Sequence, residues 1–148
     1  MSRNTIDVAV SPAAVWEVLA DPRLYANWVV GASSTRAVEG RWPEVGSVLH
    51  HSQMLLVRDS TTVLESVPER RLVLEARARP LIVARVDLQL EPDGSGTYLV
   101  LDEEPIGGLG GQLPDAVLAA PLYLRNIVAT KRLKRLAEIG VQLGEAPA

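Results

Sequence analysis

The side chains best suited to chemistry fall in a few short stretches. One is HHSQ, residues 50–53, a polar interruption of a segment otherwise rich in strand formers. A neutral imidazole can orient a guest or carry a proton. Successive residues of a strand point to opposite faces, so His50 and His51 cannot be two ligands of one metal ion. One register groups His51 with Leu49, Gln53 and Leu55; the other groups His50 with Val48, Ser52, Met54 and Leu56. The two nearly tie, and we favour His51 and Gln53 inward because that parity also puts Ser52 outside. A second stretch is YLVLDEEP, residues 98–105, where Leu99 and Leu101 share parity with Glu103, and Asp102 joins Tyr98, Val100 and Glu104. If the leucine side is covered, Glu103 is a buried acid able to anchor a hydroxyl or carbonyl, or to transfer a proton. Buried without a paired charge, it would favour its protonated form. A salt bridge to Arg77 or Arg85 is the structural alternative. His51 and Glu103 are therefore the two catalytic candidates. Asp87, between Val86 and Leu88, is expected to face water.

Farther along, Leu118 and Leu122 are four residues apart and share a helix face, with Tyr123 displaced toward a rim and Asn126 a polar intrusion nearby. Trp28 offers a large apolar face and one N–H donor. Trp16 reads as packing, and Trp42 as a cover. Other chemistries lack their residues. GGLGG at 107–111 has no Walker lysine, and no Gly-x-Ser-x-Gly nucleophile occurs. KRLKR at 131–135 reads as a solvated helix face, without an aromatic platform for nucleic acid.

The elements that must position these groups follow from periodicity. Ile6, Val8 and Val10 alternate as in a strand, and Ser11-Pro12 caps a helix whose apolar face carries Val15, Trp16, Val18 and Leu19. Asp21-Pro22 starts a second short helical piece over 23–26. An edge strand is expected over 35–39, then strands over 48–57, 60–67, 71–78, 81–90 and 97–103, with a hairpin at PDGSGT. Four glycines and three prolines between 105 and 121 argue against continuing the last strand. Residues 115–140 have helical spacing, with Pro121 predicting a kink or boundary, and 141–148 reads as a frayed tail.

Composition narrows the function classes. With 148 residues, one domain is expected. Fifteen basic and 18 acidic residues give a net charge of -3, which supplies no field for nucleic acid or an anionic membrane. No cysteine is present, so thiol nucleophiles and thiolate metal sites are absent, and a reducing cytoplasm is the compartment expected. No export signal or stretch of 18 apolar residues is seen, so stable membrane insertion is not expected.

The opening strand, SPAAVWEVLADPRLYANWV at 11–29, the PDGSGT turn at 92–97 and LKRLAEIG at 133–140 together resemble the START-like superfamily of polyketide cyclases, dehydrases and lipid transport proteins, also called SRPBCC or Bet v 1-like. The resemblance implies an α+β helix-grip fold, a curved antiparallel sheet wrapped around a long C-terminal helix, with a cavity between them for an apolar or amphipathic molecule. It also implies that Trp28 lies near that cavity and that the Leu99 and Leu101 side, hence Glu103, faces in. The function expected is noncovalent binding or carriage of a small hydrophobic or amphipathic molecule. The alternatives are a polyketide cyclase or dehydratase-like enzyme, and a protein-interaction module with a filled interior. The expected ligand contacts are Trp28, His51, Gln53, Leu99, Leu101, Glu103, Leu118, Leu122 and Asn126. No metal, cofactor or nucleic acid is expected, and a homodimer is compatible with the sequence.

Overall fold

The computed structural model of the protein describes residues 2–30, 35–51, 58–79 and 82–145. Strand β1 (Ser2–Val8) leads into helix α1 (Pro12–Leu19), a 3-10 turn (Pro22–Leu24) and the one-turn helix α2 (Tyr25–Trp28). Strands β2 (Thr35–Glu39), β3 (Val48–His51), β4 (Arg58–Val67), β5 (Arg71–Arg79), β6 (Ile82–Asp93) and β7 (Gly96–Gly107) follow, and helix α3 (Asp115–Glu145) closes the order. The strands form one seven-stranded sheet in the order β1-β7-β6-β5-β4-β3-β2, and every neighbouring pair is antiparallel. α3 packs on β1, α1 and α2. This is the α+β helix-grip architecture.

Local chemistry explains the joints. Ser11 Oγ accepts from the Ala14 amide, and Pro12 stands at the first helical position, where no amide partner is needed. Asp21 Oδ1 accepts from the Arg23 amide and starts the 3-10 turn in the same way. In the β6–β7 hairpin Gly94 takes a positive φ of 58°, open to glycine without penalty. Gly96 answers a different need, because a Cβ there would meet the Val8 carbonyl oxygen at 2.5 Å.

Three departures from the sequence reading have physical causes. β7 continues through Pro105 to Gly107, and the register shifts between Val83 and Ala84 on β6 where Pro105 pairs, so the missing amide falls at an irregularity. α3 passes through Pro121 as one helix and reaches Glu145, beyond the expected end at Gly140. Pro121 is exposed, whereas Leu122, Asn126 and Ala129 are buried. Asp87 does not face water freely: it is buried, with its carboxylate held by Arg71 Nη2 at 2.6 Å and Arg85 at 3.8 Å.

The inner surface is filled unevenly. Toward the β6–β7 hairpin it is all aliphatic, with Val63, Leu72, Leu88, Leu90 and Leu99 packed with Leu133 and Ala137 of α3, Val8 of β1 and Val15 of α1. Toward the other end the inward side chains shrink or become polar: Thr61 on β4, Ala76 on β5, Ala84 on β6, Glu103 on β7 and Ala129 on α3. Ala76 and Ala84 are direct partners across the β5–β6 ladder. Two methyl groups where leucines stand farther along the same strands cannot fill the gap beneath the helix.

Candidate functional site

That gap is a cavity of about 120 Å³. A water takes about 30 Å³ in the liquid, so the space corresponds to about four waters or one small organic molecule. Trp28, Val29, Ile82, Val86 and Leu101 give it apolar walls, and polar groups stand on two sides.

One polar side joins α2 to β3 and β4. Tyr25 ends up buried because the Asp21-Pro22 turn delivers α2 against the sheet, and its ring stacks on the His51 ring at 5.0 Å and 20°. Trp28 meets Tyr25 edge-on at 5.5 Å, and Trp42 closes the cluster at 6.2 Å with its indole N–H donating to the Leu19 carbonyl. Thr61 Oγ1 lies 2.9 Å from Tyr25 Oη and 3.0 Å from His51 Nε2, making a phenol–hydroxyl–imidazole chain. Burial pushes the Tyr25 phenol up to about 12, with the Thr61 hydrogen bond opposing, so at neutral pH it is an uncharged donor and acceptor. Asp59 is also inward on β4, and burial raises its carboxyl above the ordinary range while His51 pulls the other way.

The opposite polar side joins β7 to α3. Glu103 is 2% exposed, and Arg125 Nη2 donates to both of its oxygens at 2.6 and 2.5 Å. Asn126 Nδ2 adds a third bond at 2.8 Å. Glu103 is thus neither unpaired nor bridged to Arg77 or Arg85. Its partners come from the helix, two adjacent residues that a strand-parity argument does not bring near. His51 and Glu103 face the same cavity, but Glu103 is committed to this clamp and is not a free acid.

Among the expected contacts, the structure places Trp28, His51, Leu101, Glu103 and Asn126 on the cavity wall. Gln53 lies outside the described residues. Leu99, Leu118 and Leu122 are not brought to this wall. Leu99 pairs with Leu90 in the filled end of the sheet. Leu122 is buried, but it stands one turn before Asn126, off the wall. Leu118 lies farther out, in the first turns of α3 among exposed residues. Tyr25, Asp59, Thr61 and Arg125 are wall residues that the sequence reading missed. For Thr61 and Asp59 a signal existed, since both share parity with the buried Val63. Among the described residues no group of three or more His, Asp or Glu side chains is placed to hold a metal ion, and no helix is long and apolar enough to cross a membrane.

Residues 2–138 match the model of the family described as "Polyketide cyclase / dehydrase and lipid transport". The chain belongs to this family. Rv2574 of Mycobacterium tuberculosis H37Rv is 39% identical over 57 residues, 30% of this chain and 34% of its own length. The chain therefore matches about a third of the length of such curated relatives. Among solved structures, CV1439 of Chromobacterium violaceum is 22% identical with a TM-score of 0.68, covering 92% of this chain and 96% of its own. DynU16, from the dynemicin biosynthetic locus, is 21% identical with a TM-score of 0.68, covering 94% of this chain and 47% of its own. The Aha1 dimer of Colwellia psychrerythraea is 17% identical with a TM-score of 0.65, covering 93% and 96%. At these identities the three share the fold.

Proposed function

We propose that this family member binds a small, largely apolar molecule noncovalently between the sheet and α3. The observation that carries the reading is the hollow left by Ala76, Ala84 and Ala129, walled by Trp28 and Leu101. Removing the guest's apolar surface from water supplies about 25 cal/mol per Å², enough to hold a compact guest without charge contacts. A filled interior, as an interaction module would have, does not fit a hollow of this size.

The test uses ethylbenzene as an apolar probe and the indole N–H resonance of Trp28 as reporter. Saturable shifts are expected in the wild-type protein and their loss in Ala84→Leu, whose added carbons occupy the hollow. Native mass spectrometry of protein isolated from its source should show a bound small molecule. No saturable probe binding, together with a bare-chain mass, would refute the reading.

A further inference from the structure

We propose that the Tyr25 side of the cavity is a subsite for one uncharged oxygen, a carbonyl or hydroxyl on an otherwise apolar guest, which exchanges a hydrogen bond with Tyr25 Oη, and that the cavity rejects carboxylates and phosphates. The inference rests on the binding reading above and sharpens it to a chemical class.

The first part comes from hydrogen-bond accounting. A phenol can donate once and accept as well. Two arrangements of hydrogens satisfy the chain. In one, Thr61 donates to Tyr25 and accepts from His51 Nε2, which leaves the Tyr25 O–H for a guest's acceptor. In the other, Tyr25 donates to Thr61 and Thr61 to His51 Nε2, which leaves the Tyr25 oxygen for a guest's donor. Either way Thr61 uses one capacity of the phenol, and no second hydrogen-bond partner for Tyr25 Oη occurs among the described residues. A buried polar group keeps an unused capacity at a cost, and an oxygen on the guest removes it. Because the chain runs in either direction, the subsite takes a ketone or an alcohol with the same three residues.

The second part comes from charge. Arg125 is a cation on the wall, and its Nη2 is spent on both oxygens of Glu103. Arg77 touches the cavity from a strand position of opposite parity to Ala76, and its Nη2 is held by both oxygens of Glu75. Asp59 adds a carboxyl that faces the imidazole of His51, so a charge on that ring is met from within the wall. An anionic guest would meet two acidic side chains and no uncompensated positive charge, in a place where losing hydration is expensive.

Acetophenone, ethylbenzene and benzoate separate the possibilities, since they share one ring and differ in the oxygen and the charge. By titration followed on the Trp28 indole resonance, the wild-type protein is expected to bind the first two and not benzoate. Tyr25→Phe should weaken acetophenone about three- to tenfold, the worth of one neutral hydrogen bond, and leave ethylbenzene unchanged. In the wild-type complex the infrared carbonyl band of acetophenone should sit at the frequency of a hydrogen-bonded ketone, a readout that needs no variant. Equal acetophenone affinity in both proteins, or a carbonyl band at its apolar-solvent frequency, overturns the subsite. Benzoate binding as tightly as acetophenone overturns the charge selectivity. Failure of ethylbenzene to bind the wild-type protein marks failure of the cavity reading itself, and the subsite falls with it.

Discussion

Arg125→Met should be among the most damaging single changes outside the aliphatic core. It keeps an unbranched, flexible side chain and removes the cation paired with Glu103, the only one so placed among the described residues, from a carboxylate that is 2% exposed. Breaking a buried ion pair from one side typically costs about 3–5 kcal/mol because the remaining charge is stranded. Two facts reduce that here. The Arg125 side chain is 36% exposed, so solvent already screens part of the attraction, and Asn126 Nδ2 still donates to the carboxylate. We therefore expect a loss of about 2–3 kcal/mol, equivalent to a fall in Tm of roughly 5–10 °C for a chain of this size. Urea unfolding followed by tryptophan fluorescence measures it, since Trp28 and Trp42 lie against the cavity cluster. The decisive comparison is Glu103→Gln combined with Arg125→Met, which removes the stranded charge while keeping the Asn126 partner's carbonyl acceptor. The double variant should recover at least half of the loss. A single variant within about 0.5 kcal/mol of wild type, or a double variant no better than the single, would refute the claim that a compensated buried charge ties β7 to α3.

Four further outcomes are expected. Leu133→Ala, at a fully buried position of α3, should cost about 2–5 kcal/mol in urea unfolding while leaving ethylbenzene affinity within twofold, because Leu133 lies off the cavity wall. Ser11→Ala removes the cap that accepts from the Ala14 amide and should cost about 1 kcal/mol by the same measurement. Glu138 is held below the usual carboxylate range, first by the Lys134 hydrogen bond and then by the Ala9 amide, so its contribution is present above the unfolded-state value and is lost as pH falls through the folded one. Glu138→Gln should accordingly narrow the stability difference between neutral and acid pH, read as Tm against pH. Tyr25, pushed up to about 12 by burial, gives the opposite edge: its contribution is lost as pH rises above the ordinary tyrosine range near 10. Tyrosinate absorbance should show one phenol ionising only near pH 12 or with unfolding, and not in Tyr25→Phe.

How much of this was legible in the sequence depended on whether the determining interaction was periodic. Ser11-Pro12, Asp21-Pro22 and PDGSGT announce their turns through local backbone chemistry, and the alternation around Leu49, Val63, Leu88 and Leu101 announces that each strand has one covered side. For His51 that alternation nearly ties between the two registers, and for Glu103 it is the family resemblance that turns the Leu99 and Leu101 side inward. The partners of Glu103 follow from neither, because Arg125 and Asn126 come from a helix 22 and 23 residues away, and parity along a strand carries no information about which turn of a helix faces it. Tyr25 was overlooked beside the larger Trp28, although the same turn that positions one positions the other. The hollow had a quieter signal in Ala76, Ala84 and Ala129. Small residues mark a gap only once the ladder shows that two of them are opposite each other and the third lies above. Pro105 argues against continuing the strand and Pro121 for a kink or boundary, yet one falls at a shift in register and the other at an exposed helix position, where the fold tolerates it.

The uneven filling of the inner surface also predicts how the protein should respond to redesign. β6 carries both regimes within seven residues, from Ala84 at the hollow to Leu88 and Leu90 in the dense end. Saturation mutagenesis along this one strand should give a gradient: substitutions near residue 84 retune guest preference at little cost to folding, and those at 88 and 90 destroy the protein before preference can change. The dense end would then act as a keel, steadying the chain while the hollow end is reshaped for new guests.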